Sequence, residues 1–103
     1  MSKFSDLINK SDIPVLVDYY ADWCGPCKHM ESVLKSVAAK LEDKLRVIKV
    51  DVDKNQAVSQ LYKIQSIPTM MLFYKGKVLW RQSGAMPEQV LLQHLTPHLT
   101  AKV

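Results

Sequence analysis

Apolar residues along this chain switch between two kinds of spacing. Ile13-Pro14-Val15-Leu16-Val17 is a short, unbroken, β-branched run, the pattern of a strand covered on both faces, and predicts a strand over 13–20. Met30, Val33, Leu34, Val37, Ala38 and Leu41 then fall on one stripe of a helix. Glu42-Asp43-Lys44 breaks the stripe, and Leu45 to Val52 returns to β-branched residues as a second buried strand. About 25 residues, enough for a helix, separate the two strands, which makes a right-handed βαβ unit with parallel strands. Upstream, Phe4, Leu7 and Ile8 give residues 2–10 a helical face, and Ser11-Asp12 turns into the strand. Asp53 followed by Gln56 has the form of a capping box, opening a helix over about 55–62 with Ala57, Val58 and Leu61 inward. Met70 to Tyr74, a tight turn at Lys75-Gly76, and Val78 to Gln82 read as an antiparallel hairpin. Pro87-Glu88 starts a last helix with Leu91, Leu92, Leu95 and Leu99 on its apolar side; Pro97 is expected to bend or end it. Pattern alone thus gives the order α-β-α-β-α-β-β-α.

Composition narrows the class without changing this order. A chain of 103 residues, 48% apolar, builds one ordinary core, so residues 1–103 read as a single domain. The net charge is +4, with lysines and arginines interleaved with acids and no run of three, so neither nucleic acid nor a membrane surface is indicated as a partner. No apolar stretch approaches a membrane span. Met1-Ser2-Lys3-Phe4-Ser5-Asp6 lacks a signal-peptide pattern. A cytoplasmic location is expected, where two cysteines are more often catalytic than structural.

Those two cysteines, the only ones present, lie in Trp23-Cys24-Gly25-Pro26-Cys27, where the first strand hands over to the long helix. Cys27 extends the buried stripe that Met30 continues, whereas Cys24 falls at or just before the first helical turn. The two sulfurs are expected to be close but unequal, Cys24 at the surface and Cys27 sheltered. Unpaired N–H groups and the positive dipole end of a helix favour a thiolate at Cys24, and the thiolate is the attacking species in disulfide exchange. Pro26 suits a first helical turn, because its missing N–H would have had no partner there. Gly25 leaves the sulfur uncrowded. Cys27 can then attack a mixed disulfide formed at Cys24. The competing reading is a zinc half-site, but a closed site needs four ligands; only His29, His94 and His98 are available, and the last two are far away in sequence. Both are expected in solvent on the last helix.

The sequence Trp23 to Lys28, after the lead-in Val17-Asp18-Tyr19-Tyr20-Ala21-Asp22, resembles the thioredoxin family, and the likeness runs on for nearly the whole chain. It implies an α/β three-layer fold, a central mixed sheet flanked by helices. One departure is visible: the family's usual first strand precedes the first helix, and only about three residues are left for it here. A sheet of four strands is expected, or five if residues 1–3 add a stub. The resemblance implies a protein-disulfide reductase with Cys24 as nucleophile and Cys27 as resolving thiol. It implies no bound cofactor and no metal. The expected partners are disulfide-containing client proteins and a thioredoxin reductase using NADPH; the protein itself is expected to be a monomer.

Three further positions carry two readings each. Asp18 interrupts an apolar strand: either the strand has ended and the carboxylate is solvated, or it is a buried acid–base group serving Cys27, which the resemblance favours. Lys49, inside Val47-Ile48-Lys49-Val50, is either an edge-strand charge that opposes aggregation or, as the resemblance implies, the counter-ion that tunes Asp18. Pro68, in Ile67-Pro68-Thr69, is either a strand-start signal or the cis proline that faces the dithiol in thioredoxins. The resemblance also implies a flat, mostly apolar landing surface around Cys24 made of Trp23, Gly25, Pro26, Ile67, Pro68, Gly84 and Ala85, although Gly84 also serves simply to turn the chain. Ser83 stands where the family usually has an apolar residue, which would weaken one edge of that surface. Ser32 stands for a common proline and Tyr20 for a common tryptophan. Within this class an oxidant or isomerase is an alternative to a reductase; outside it, the domain could serve as a binding module whose thiols are incidental.

Overall fold

The computed structural model describes residues 3–100. Four helices and four strands alternate as α1 (Lys3–Lys10), β1 (Val15–Tyr20), α2 (Gly25–Lys40), β2 (Arg46–Asp51), α3 (Gln56–Leu61), β3 (Thr69–Tyr74), β4 (Lys77–Ser83) and α4 (Glu88–Thr100). This is the order the apolar pattern gives. The strands form one mixed sheet in the order β2-β1-β3-β4; β1 and β2 are parallel, and the other two pairings are antiparallel. Among the described residues β2 is therefore an edge strand. The stub of a fifth strand would involve residues outside those described.

The alternation of β1 explains the layers. Leu16 points to one side with Met70 and Leu72, against Met30, Leu34 and Val37 of α2 and Leu91, Leu95 and Leu99 of α4. Val15, Val17 and Tyr19 point to the other, where Met71 and Phe73 meet Ile8 of α1 and the partly buried Phe4, Val58 and Tyr62. Each face buries large apolar side chains completely, and each such burial contributes about 1.5–3 kcal/mol. A strand apolar on both faces is what a covered parallel pair needs.

Two details differ from the pattern. The helix after β2 presents Val58 and buried Ser59 inward, while Ala57 is exposed and Leu61 is 71% exposed. Its N-cap is Asn55 rather than Asp53, and the Asn55 side chain makes no cap bond because its amide donates to Asp51 O at 3.0 Å. The last helix runs through Pro97 to Thr100: proline removes one N–H, but Leu99 beyond it packs with Leu91 and Leu95, and that burial carries the helix on.

The two ends of the sheet have different furniture. At one end the Lys75-Gly76 turn closes β3 to β4, with both residues at positive φ (51° and 84°), as a two-residue hairpin turn of the favoured hand requires. There Gly76 N–H donates to Ile8 O (2.9 Å), and Lys75 pairs with Asp12 (3.1 Å). At the opposite end, β1 runs out into Ala21–Cys24, β2 into the 52–55 loop, β4 into Gly84, and β3 begins after Pro68. The two cysteines are at this second end.

Candidate active site

Cys24 caps α2 from an extended conformation (φ −91°, ψ 112°), and its Sγ accepts the Cys27 N–H at 3.2 Å. Pro26 occupies the first turn. An N-cap side chain ordinarily supplies an oxygen for this orphan donor; here the Cys24 sulfur does so. Cys24 and Cys27 are joined as a disulfide with Cα atoms 5.3 Å apart. A side chain at Gly25 would meet nothing within 4 Å, so the approach is open there.

The expected difference in exposure is not found in this oxidised form. Cys24 is 5% exposed and Cys27 4%, because both sit in a small cluster with Ala21, bordered by Tyr20, Val52 and Ile67. The asymmetry is one of surroundings. Cys24 Sγ lies 3.8 Å from Ile67 O, on the loop side, whereas Cys27 lines a cleft of about 290 Å³ with Tyr20, Lys28, Glu31 and Lys49.

The loop facing Cys24 is tied down at several points. The Ile67–Pro68 peptide is cis. Gly84 N–H donates to Pro68 O (2.8 Å), so Gly84 fastens the end of β4 to the loop as well as turning the chain, and its φ of 97° suits glycine. Thr69 Oγ1 donates to Ser66 O (2.7 Å) and lies 2.8 Å from Ser83 Oγ. Ser83 is thus part of a hydroxyl bridge under the loop. Of the proposed surface, Trp23 is 70% exposed and Gly84 and Ala85 are exposed; Ile67 is half-buried, and Pro68 is buried behind it. Trp23 is held in place, its Nε1–H donating to Asp53 Oδ2 at 2.8 Å.

Asp18 is 1% exposed, so the solvated reading is wrong. Among the described residues neither carboxylate oxygen has a hydrogen-bond partner, and burial pushes its pKa up to about 6, against the attraction of Lys49 and with a smaller push from Glu31. Its cavity, of about 210 Å³, is lined by Leu34, Ala38, Val47, Lys35, Glu31 and Lys49. The β1–β2 register places Lys49 beside Asp18, yet the Lys49 Nζ bonds Glu31 Oε2 at 2.7 Å and sits 4.3 Å from the Tyr20 ring centroid. Lys49 acts on Asp18 through space, and its direct partner is Glu31. That bond holds the Glu31 carboxyl low and the Lys49 ammonium high.

Glu31 and Asp53 are the site neighbours that the sequence pattern leaves out. Glu31 falls one turn after Cys27 on α2, a spacing that puts two side chains on one helix face, and this was the available signal. Asp53 gave none, because its contact with Trp23 spans thirty residues. His94, expected in solvent, stacks on Trp80 with centroids 5.3 Å apart.

A mixed sheet between two helical layers, with a Cys-x-x-Cys disulfide capping a helix opposite a cis proline, defines the thioredoxin-like class of dithiol–disulfide proteins. Comparison with known proteins agrees: the family model described as Thioredoxin matches residues 1–97, and the chain belongs to the thioredoxin family. It is 44% identical over 94 residues to "Thioredoxin Y, chloroplastic" of Oryza sativa subsp. japonica, covering 91% of this chain and 56% of that one. It is 43% identical over 98 residues to "Thioredoxin 1" of Nostoc sp., covering 95% and 92%, and 38% identical over 96 residues to "Thioredoxin" of Haemophilus influenzae, covering 93% and 90%. The chain spans 56% to 60% of the length of its chloroplastic relatives.

Proposed function

We propose that this protein reduces disulfide bonds in client proteins by thiol–disulfide exchange. The observation that carries the reading is the Cys27 N–H aimed at Cys24 Sγ at the helix cap, with that sulfur facing the Ile67 carbonyl. In the dithiol form, the Cys24 thiolate attacks one sulfur of a client disulfide, forming a mixed disulfide and expelling the other client sulfur as a thiolate. Cys27 gives up its proton and attacks Cys24 Sγ, which expels the second client sulfur and forms the Cys24–Cys27 disulfide. The client gains two electrons, and the domain loses two. Asp18 is the base for the Cys27 proton, a role suited to a carboxylic acid titrating near neutral pH. Trp23, Gly25, Pro26, Ile67, Gly84 and Ala85 form the surface on which an extended client segment lies, with Pro68 shaping the loop beneath. Electrons return from a partner dithiol, a thioredoxin reductase drawing on NADPH. We place the protein in the reducing cytoplasm as a monomer; cysteine usage supports that compartment.

Trapping tests the division of labour. Cys27→Ser keeps the first step and loses release, so it should accumulate dithiothreitol-reversible adducts with client proteins. Cys24→Ser should form almost none, because its remaining thiol lacks the helix-cap N–H. Equal trapping by both variants would overturn the assignment of nucleophile and resolver. Turnover of insulin disulfides with NADPH and a purified reductase tests the reaction as a whole; a scaffold domain shows no turnover.

A further inference from the structure

We propose that Glu31 is a positioning residue of the Asp18 proton site: its carboxylate holds the Lys49 ammonium away from Asp18, leaving that buried carboxylate uncompensated and able to take up and return a proton. The inference rests on the reading of Asp18 as the proton-transfer group. Cys27 and Asp18 line neighbouring cavities, and the two residues common to both are Glu31 and Lys49. Their ion pair therefore stands on the boundary between the thiol and its base. Backbone register alone would offer Lys49 to Asp18 as a direct counter-ion. Instead Lys49 is drawn off by two contacts, the 2.7 Å bond to Glu31 and the face of Tyr20.

The other surroundings of Asp18 leave these two charges to decide its state. From α2 the cavity receives Glu31 and, at its rim, Lys35; from β2 it receives Lys49 and the apolar Val47; from β3 the cross-strand neighbour is Met70. No α4 residue lines it. Cys27 stands in the adjoining cleft. Glu31 and Lys49 are both substantially exposed, 47% and 40% at the side chain, and an exposed pair of this kind is weak enough to open and close readily. Closed on Glu31, Lys49 leaves Asp18 unpaired, with its pKa held up at about 6. Turned inward, the ammonium would stabilise the carboxylate and weaken it as a base.

The sign of the test follows. Glu31→Gln removes a repelling charge and frees Lys49, and both changes favour ionised Asp18. The midpoint of the Asp18 carboxyl ¹³C titration, followed in the oxidised protein and assigned with Asp18→Asn, should fall by roughly half a pH unit or more. Lys49→Gln should move it upward. On the Lys49→Gln background, Glu31→Gln should produce less than half of its effect in the otherwise wild-type protein. An unchanged or raised midpoint in Glu31→Gln overturns the proposal. So does an equal shift with and without Lys49, since Glu31 would then act by its own charge alone. The titration needs no turnover, so a protein that reduced no disulfide would refute the catalytic reading while leaving the Glu31 result to stand or fall by itself. In an active protein, the acid limb of the Cys27 release step should move down in Glu31→Gln by the same amount as the midpoint; a limb that stays put while the midpoint moves overturns the link to proton transfer.

Discussion

Asp18 is a single residue at which stability and the proposed proton-transfer role pull apart. Its folded pKa, about 6, lies above the ordinary value of 3.8, so the folded state binds the proton more tightly than the unfolded chain. The penalty is absent below pH 3.8, grows as the pH rises towards 6, and is full above it. At about 1.4 kcal/mol for each pH unit between the two values, the full penalty is of order 3 kcal/mol. Asp18→Ala should therefore be more stable than wild type by about 2 kcal/mol at pH 7, allowing for the space left behind, and should lose that advantage below pH 4. Urea midpoints at the two pH values check this, and a loss of stability at pH 7 would contradict the buried-charge argument. The same variant should reduce disulfides more slowly. Residue chemistry was legible where the sequence itself was anomalous: an acid inside an apolar strand, two cysteines spaced as a helix start. It was not legible where a partner came from elsewhere, as with Asp53 under Trp23 or Glu31 drawing off Lys49, because side-chain reach across elements leaves no periodic trace.

The bounds of the four strands and of α3 were readable to within a residue or two, whereas the inward face of α3 and the run of α4 past Pro97 were not. Helix α3 has only six residues, too short for its inward face to be fixed by periodicity. Its end carries a finding of its own. Lys63 N–H donates to Gln60 O (3.1 Å) and Ile64 N–H to Ser59 O (2.9 Å), the paired bonds of a Schellman ending, with Lys63 at φ 55° in the position that glycine usually fills. Lys63→Gly should stabilise the fold by about 0.5–1 kcal/mol, since a β-carbon there carries a left-handed cost that exceeds the entropy glycine adds. A thermal melt that falls instead of rising would show that Lys63 contributes more through its side chain than it costs in its backbone. Gly76 is the converse case. A β-carbon on it would meet the Asn9 side chain at a φ of 84°, so Gly76→Ala should cost about 1–2 kcal/mol or more, read as a lower urea midpoint with the slope unchanged.

For the whole molecule, the class of fold followed from the order of elements, but the order of strands did not. The helix-long spacing gives β1 and β2 as a parallel pair, but nothing in it says that β1 pairs on its other side against β3; a strand apolar on both faces fits any central position. The edge position of β2 matters to the site, since Lys49 on it is exposed and free to choose between Asp18 and Glu31. The separation of the two ends of the sheet reaches further. One end holds the cysteines, the cis-proline loop and the Ser83–Thr69–Ser66 bridge; the other holds the hairpin turn fastened to α1. A lineage carrying this gene can therefore drift along the long axis of the sheet under two separate kinds of selection. Substitutions at the turn end answer to fold stability alone and are compensated by any stabilising change elsewhere, whereas those at the cysteine end answer to the proposed exchange chemistry and are not. In a library of all single substitutions screened twice, once for abundance in the cell and once for disulfide reduction, the variants lost only in the second screen should cluster around residues 18–31, 49–53, 66–69 and 83–85.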